Sequence, residues 1–245
     1  MTGTLYGLGV GPGDPELITL KALRILKEAP VLAWPAPLEG DSLARSIAEP
    51  HLDGHHREIA IRMPMDVARF PAQQVYDTAA AEIAAELDAG NDVAVLCEGD
   101  PFFYGSFMYL FGRLAETYPV EVVPGVSSLM ATAAASGAPL AARNDVLTVL
   151  PAPLEEAELV RRLKEIEAAA VIKVGRHLPK LRRALDAAGL SDAARYVGHA
   201  TMGERQTVCP LTDYPEEKAP YFSMVLVHRR RDAWIDGRGQ EEAGE

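Results

Sequence analysis

The sequence predicts an α/β protein with a mainly parallel sheet in its first half and a mixed sheet in its second half. Its 245 residues are 48% hydrophobic and 24% charged, which is typical of a globular chain forming one large domain or two smaller ones. Strand-like segments alternate with amphipathic helical segments in the first half, as in a parallel sheet. Additional strand-like segments near the end of the chain indicate a mixed second sheet.

Each element predicted in the first half has a local signal. Asp14 followed by Pro15 marks the start of a first helix, and Pro30 stops that helix. An apolar stripe at helical spacing predicts a longer helix that carries Val75, Ala79, Ile83 and Leu87. The other predicted elements are strands at 5–10, 31–34, 93–97 and 120–123 and helices at 42–48, 107–114 and 126–136.

The second half has a different pattern, because strands outnumber helices near its end. The predicted elements are strands at 146–150, 171–174, 195–200, 206–211 and 223–228 and helices at 154–169 and 178–188. We therefore predict an N-terminal α/β domain at 1–142, a C-terminal α/β domain at 143–231 and a flexible tail at 232–245, where the chain is polar and rich in glycine.

Charge and cysteine content exclude several classes of protein. A net charge of −11 argues against nucleic acid as a partner, because binding a duplex needs a basic face. Cys97 and Cys209 are the only cysteines, which predicts a reduced, cytoplasmic protein without a disulfide framework. The N-terminus lacks the basic region of a secretory signal, and no apolar run is long enough for a membrane helix. A small molecule is the expected partner.

The first motif is the glycine-rich segment at 7–14, which reads GLGVGPGD. It follows a predicted strand and precedes a predicted helix, so its backbone can approach a ligand closely. It is neither a G-x-G-x-x-G dinucleotide fingerprint nor a P-loop with Gly-Lys-Ser/Thr. A tight strand-to-helix turn without a ligand is the alternative interpretation.

Two further turns follow strands in the same way. The segment at 97–105, CEGDPFFYG, supplies acceptor carboxylates and aromatic rings, which are either ligand contacts or core residues at a helix entry. The segment at 123–128, VPGVSS, offers hydroxyls and free N–H groups, although Ser127 could act only as a helix cap. Because the carboxyl ends of parallel strands share one edge of a sheet, we expect the three turns to converge.

These three motifs, in this order and at this spacing, resemble those of the tetrapyrrole (corrin/porphyrin) methylase family, and the resemblance covers nearly the whole chain. It implies two α/β domains with S-adenosylmethionine held in the cleft between them, and a homodimer. S-adenosylhomocysteine would be the product of the methyl donor. The cofactor contacts that the resemblance implies are Pro12, Gly99, Asp100, Pro101, Phe103, Gly105, Ser127, Ser128, Val174 and Ala200.

Other segments resemble the subgroup of that family that methylates C20 of precorrin-2 in cobalamin biosynthesis. They are 34–37 (WPAP), 40–44 (GDSLA), 62–65 (RMPM) and 220–223 (PYFS). Trp34 departs from the small or aliphatic residue expected before the proline. The alternatives are a C20-methylase of the cobalt-early route acting on cobalt-factor II, a methylase of the same fold acting on ribosomal RNA or diphthamide, and a module that only binds S-adenosylmethionine.

The implied substrate carries many carboxylates, so an acidic protein must concentrate its basic groups near it. Candidates for these contacts are Arg62, Arg69, Arg143, Arg176, His177 and Lys180. Methyl transfer is a direct displacement, and Glu98 and Tyr104 are the candidate acceptors for the proton that leaves the ring. The sequence shows no catalytic triad, and the spacing of its histidines predicts no metal site.

Overall fold

The computed structural model describes residues 1–63 and 72–230. Arg69 and the tail predicted at 232–245 lie outside the described residues. The chain divides into two compact units, Met1–Ser128 and Leu129–Glu245. The sequence-based boundary after residue 142 lies later in the chain than this division. Within the described part of the chain, no helix is both long and apolar enough to cross a membrane.

The first unit is built on a parallel sheet of five strands. The strands are β1 (Leu5–Gly9), β2 (Val31–Pro37), β3 (Arg57–Met63), β4 (Val93–Cys97) and β5 (Val120–Val123). Their order is β3-β2-β4-β1-β5, and every neighbouring pair is parallel. The helices are α1 (Leu20–Glu28), α2 (Leu43–Ala48), α3 (Ala72–Asp88) and α4 (Phe107–Leu114), and α5 (Ser128–Ser136) begins at the end of this unit.

Alternate residues of the central strand β4 pack against helices on opposite faces of the sheet. Val93 and Val95 lie in a core cluster with residues of α3 and α4. Ala94 and Leu96 lie in a second cluster with residues of α1 and α2. All four side chains are at most 2% exposed. A strand covered on both faces must be apolar throughout, which is why 93–97 shows no polar alternation in the sequence.

The strand order creates a divergence at the middle of the sheet. From β1 the chain proceeds to β2 on one side, whereas from β4 it proceeds to β5 on the other side, beyond β1. The loops after the neighbouring strands β1 and β4 therefore leave the sheet in opposite directions. In open α/β sheets, ligands bind at such a switch point, outside the carboxyl ends of the strands.

The second unit contains the mixed sheet that the sequence predicts. Its elements are β6 (Leu147–Pro151), α6 (Glu156–Glu165), β7 (Ala168–Ile172), α7 (Leu178–Ala187), β8 (Ala194–Gly198), β9 (Thr207–Pro210) and β10 (Ser223–His228). The order is β6-β7-β10-β8-β9; β6 and β7 are parallel, and the other neighbouring pairs are antiparallel. The apolar faces of α6 and α7 pack on this sheet in one core cluster.

Three sequence-based element assignments were wrong. Asp14 does not start the first helix, because it caps only the short 3-10 turn Pro15–Leu17, and α1 begins at Leu20 after the capping residue Thr19. The helix predicted at 154–169 ends at Glu165, because the alanines from Ala168 form the buried strand β7. Alanine is a good helix former, but strand pairing on both sides overrides that preference. The edge strand β3 was missed, although buried Ile59 and Ile61 alternate with exposed residues and give the period-two signal of a strand.

Candidate functional site

The loops that follow β1 and β4 are joined through their backbones. The Gly99 N–H donates to the Gly11 carbonyl at 2.7 Å, and the Gly11 N–H donates to the Gly99 carbonyl at 3.3 Å. The Val10 N–H donates to the Cys97 carbonyl at 2.9 Å. These bonds extend the pairing of β1 and β4 beyond their carboxyl ends. The glycine-rich loop and the loop at 98–105 therefore form one junction.

Two glycines, Gly9 and Gly125, allow the loop after β5 to reach the same junction. A Cβ at Gly9 would lie 2.5 Å from the Gly125 nitrogen and 2.6 Å from the Gly99 carbonyl oxygen. A Cβ at Gly125 would collide with the same Gly99 oxygen and would lie 2.7 Å from the Gly9 Cα. Only residues without a side chain permit backbones to approach this closely. The expectation that the three turns converge is confirmed.

Asp100 connects the second and third loops through its carboxylate. Its Oδ1 accepts the N–H groups of Phe102 at 2.9 Å and Phe103 at 3.0 Å. Its Oδ2 accepts the N–H of Gly125 at 3.1 Å. All three partners are backbone donors, so this side chain fixes the shape of the junction. The sequence indicated that Asp100 belongs to the site but gave no sign of this bridging arrangement.

The other predicted cofactor residues of the first unit lie on these loops. Pro12 and Pro101 are buried, Phe103, Gly105 and Ser127 are partly buried, and Ser128 is exposed at the start of α5. A Cβ at Gly99 would lie 3.6 Å from the Ser127 Cα, so the second loop also contacts the third loop here.

The aromatic residues of the second loop only partly belong to the core. Phe102 packs edge-on against Phe111 with ring centroids 5.2 Å apart, yet 48% of its surface is exposed. Tyr104 is equally exposed and has a φ of +56°, in the left-handed region that non-glycine residues rarely adopt. Such strain is typical of functional loops. The alternative that these rings are simply core residues therefore does not hold for Tyr104.

Glu98 is a largely buried carboxyl group at the start of the second loop. Its carboxylate accepts the backbone N–H groups of Glu98 itself and of Ala44, near the start of α2. Burial nevertheless raises the pKa of Glu98 above its ordinary value of 4.5. The site therefore contains a carboxyl group suited to hold a proton. The contact with Ala44 was missed, because nothing in the sequence pairs these two segments.

The raised pKa of Glu98 predicts a pH-dependent stability. The folded state binds this proton more tightly than the unfolded state, so the contribution of Glu98 to stability falls as pH rises above the ordinary carboxyl pKa of 4.5. Glu98→Gln keeps an oxygen that can accept from Ala44. We expect the variant to equal or exceed the wild type in unfolding free energy at about pH 7.5 and to lose any advantage near about pH 4.

Urea unfolding across that pH range measures this difference. Glu39→Gln, which changes an exposed carboxylate, is the matched control and should leave the profile of the wild type unchanged. A Glu98→Gln variant that is less stable than the wild type at the higher pH and equally stable at the lower pH would contradict the prediction.

In the second unit, the two predicted cofactor residues follow two strands, β7 and β8, that lie on either side of β10. Both β7 and β8 are antiparallel to β10, so their carboxyl ends lie at the same edge. Val174 and Ala200 follow these two ends and are buried. Three non-glycine residues beside them have left-handed backbones, namely Lys173 (φ +57°), His199 (φ +50°) and Thr201 (φ +67°). Nothing in the sequence indicated this strain.

The basic residues predicted to contact the substrate differ in their exposure and in their hydrogen bonds. Arg62 is exposed, and its Nη1 donates to the Pro37 carbonyl at 2.9 Å, so part of its guanidinium is used to hold the loop after β2. Arg143 and Arg176 are exposed. The pKa of His177 is lowered, first by burial and then by the charges of Lys180 and Arg176, so its ring is mainly neutral at neutral pH. Lys180 donates to the Leu154 carbonyl at 2.5 Å.

Comparison with known proteins adds independent evidence. A model of the tetrapyrrole (corrin/porphyrin) methylases matches residues 4–215. A precorrin-2 C(20)-methyltransferase of a Sinorhizobium species is 44% identical over 238 residues, which cover 94% of this chain and 97% of that protein. A cobalt-precorrin-2 C(20)-methyltransferase of Salmonella typhimurium is 33% identical over 232 residues, covering 94% of this chain and 98% of that protein.

A solved structure shares both the fold and part of the sequence. The crystal structure of a uroporphyrin-III C-methyltransferase from Thermus thermophilus, complexed with S-adenosylhomocysteine, matches with a TM-score of 0.67 at 26% identity. The match covers 92% of this chain and 97% of that chain. The family model spans most of the sequence and includes all three loops of the junction. The chain therefore belongs to the tetrapyrrole (corrin/porphyrin) methylase family.

Proposed function

We propose that this chain transfers a methyl group from S-adenosylmethionine to C20 of precorrin-2, giving precorrin-3A and S-adenosylhomocysteine in cobalamin biosynthesis. The junction of three backbone-bonded loops at the switch point of the first sheet is the observation that carries the proposal. The identity of 44% to a precorrin-2 C(20)-methyltransferase over nearly the full length supports the choice of substrate.

The residues of the junction suit S-adenosylmethionine as a ligand. Gly9 and Gly125 let the three loops pack backbone against backbone, so the loops that would contact the ligand are held in a fixed arrangement. The loop after β5 adds the Ser127 and Ser128 hydroxyls at the start of α5. When bound, S-adenosylmethionine supplies an electrophilic methyl group. We propose Pro12, Gly99, Asp100, Pro101, Phe103, Gly105, Ser127, Ser128, Val174 and Ala200 as the residues that hold it.

Methyl transfer requires the chain to position the reacting atoms and does not require a nucleophile from the protein. Direct methyl transfer to an electron-rich carbon needs alignment of the reacting atoms and exclusion of water. The backbone bonds between the loops and the bridging carboxylate of Asp100 provide a fixed frame for that alignment. We propose Glu98 as the acceptor of the proton that the ring releases, because burial raises the pKa of this carboxyl and so makes its carboxylate more basic. Tyr104 is the alternative acceptor.

Basic side chains are proposed to bind the substrate carboxylates. Arg143 and Arg176 are exposed and permanently charged, so they are suited to pair with carboxylates. His177 is mainly neutral and would instead donate a single hydrogen bond. Arg62 keeps an exposed guanidinium beside the loop after β2. Arg69 remains a candidate from the sequence alone.

The metal-free substrate is favoured over the cobalt-loaded one. The relative named for precorrin-2 is 44% identical to this chain, whereas the relative named for cobalt-precorrin-2 is 33% identical, and both are covered almost completely. We further propose a cytoplasmic location and, as the family resemblance implies, a homodimer. The free Cys97 and Cys209 are suited to a reducing compartment. Sedimentation of the purified chain would test the dimer.

Turnover with defined substrates tests the proposed function. The purified chain is incubated with S-adenosylmethionine carrying a ¹³C-labelled methyl group and with either precorrin-2 or cobalt-factor II. We expect one new methyl signal in the NMR spectrum, assigned to C20, with faster turnover of the metal-free substrate. Methylation at another carbon, faster turnover of cobalt-factor II, or cofactor binding without any product would overturn the proposal.

A further inference from the structure

Three side chains that commonly bind metals meet in the loop before β3. Asp53, His55 and His56 each offer one ligand atom, and these atoms all lie within 4.8 Å of one another. We propose that this loop binds one divalent cation of the borderline class, such as Zn²⁺, Ni²⁺ or Co²⁺. Two imidazoles and one carboxylate suit these ions, whereas Mg²⁺ and Ca²⁺ prefer oxygen ligands only.

The hydrogen bond of His56 prepares this ring to bind a metal. Its Nε2 lies 2.8 Å from the Leu26 carbonyl oxygen. A carbonyl can only accept a hydrogen bond, so Nε2 carries the proton and Nδ1 keeps the lone pair in the neutral ring. Histidine ligands of metals are usually held in this way, with the second ring nitrogen donating to a carbonyl or carboxylate.

His55 and Asp53 form the second half of the site. The His55 Nδ1 is in close contact with the Asp53 Oδ1, and the His55 backbone N–H donates to the same oxygen at 3.3 Å. A cation bound by Nδ1 and Oδ1 takes the place of the hydrogen bond between these two atoms, and the imidazole then carries its proton on Nε2.

The surrounding charges favour a cation. The Leu26 carbonyl belongs to the last turn of α1, whose carboxyl end carries a partial negative charge. Arg57, which directly follows His56, is already paired with Glu86. The side chains of Asp53 and His55 are 69% and 43% exposed, so water or an external ligand can complete the coordination. We therefore expect reversible binding.

The position of this cluster separates it from the cofactor site. It precedes the amino end of β3, whereas the three loops of the junction follow the carboxyl ends of parallel strands. The two sites thus lie at opposite ends of the strands of the first sheet. Metal binding at the loop is expected to leave the affinity for S-adenosylmethionine unchanged. The proposal therefore stands independently of the proposed function.

Calorimetric titration of the tag-free, chelator-treated chain with ZnCl₂ tests the proposal. We expect one saturable site per chain, and His55→Gln, His56→Gln or Asp53→Asn should each weaken it about tenfold or more. His51→Gln is the matched control: its Nε2 lies 3.2 Å from the Pro15 carbonyl, it lies in the same segment, and it is outside the cluster. Circular dichroism of each variant shows whether the fold is kept.

Spectroscopy with Co²⁺ gives a second readout. We expect visible absorption bands of imidazole-bound cobalt in the wild type and in His51→Gln, and their loss in His56→Gln. MgCl₂ is expected to give no saturable heat. Absence of a saturable Zn²⁺ site, equal binding by the cluster variants and the wild type, or an equal loss in the His51 control would overturn the proposal.

Discussion

Gly125→Ala is expected to lower the affinity for S-adenosylmethionine by about 100-fold or more and to reduce methyl transfer accordingly. The new Cβ would collide with the Gly99 carbonyl oxygen and would lie 2.7 Å from the Gly9 Cα. Both obstacles are backbone atoms held by strand pairing, so they cannot rotate away as a side chain would. Relief of the clash requires the loops to separate, which also stretches the bond from Gly125 to Asp100. A hundredfold loss corresponds to about 2.7 kcal/mol.

Gly112→Ala is the matched control for this substitution. Gly112 lies in α4, and a Cβ there would have no neighbour within 4 Å. Alanine is favoured over glycine in a helix by about 1 kcal/mol, so the control should be equally or more stable than the wild type and should bind the cofactor normally. Isothermal titration calorimetry gives the affinities, and thermal unfolding shows that each variant is folded. A folded Gly125→Ala variant with the affinity of the wild type would remove the junction from the cofactor site.

Asp100→Ala is expected to cause the second largest loss of cofactor affinity. The substitution leaves the N–H groups of Phe102, Phe103 and Gly125 without their acceptor. A hydrogen bond to a charged group contributes about 1.5–3 kcal/mol, and the two part-buried bonds, from Phe103 and Gly125, are expected to matter most. Asp100→Asn should have a smaller effect, because its carbonyl oxygen can still accept from two of the three donors.

Asp92→Ala separates this effect from a general loss of stability. Asp92 also accepts a backbone N–H through its carboxylate, from Thr4 at 2.7 Å, but it precedes the amino end of β4. We expect Asp92→Ala to lower the melting temperature while the cofactor affinity stays unchanged. Calorimetry on all three variants should rank their affinities as Asp92→Ala above Asp100→Asn above Asp100→Ala. Equal losses in the two alanine variants would mean that Asp100 acts only through overall stability.

Local patterns determined most of the strands and helices. The strands β5 and β10 have the predicted bounds, because each is an apolar segment flanked by turns. The three loops could also be located, since glycine and proline directly after an apolar segment mark the end of a strand. The bounds of β7 could not be predicted in the same way. Its alanines favour a helix locally, and only pairing with β6 and β10 makes them a strand.

The sequence predicted which segments form the site but not the contacts between their residues. The sequence places Asp100 on the second loop, but its bond to Gly125 depends on β5 lying beside β1. The same limit applies to Asp53, His55 and His56, whose spacing along the chain does not match a known metal motif. Their ligand atoms lie within 4.8 Å of one another, and the bond from His56 to the Leu26 carbonyl holds the loop against the end of α1.

The sequence by itself determined the alternation of strands and helices, the three turns and the family, because these follow from local residue preferences and from the order of motifs. The tertiary structure decided which strands are neighbours, and hence that the turns after β1, β4 and β5 meet. It also decided that Gly9 and Gly125 must lack side chains. The physical reason is that strand order and backbone approach depend on contacts between residues far apart in the chain, which no local preference encodes.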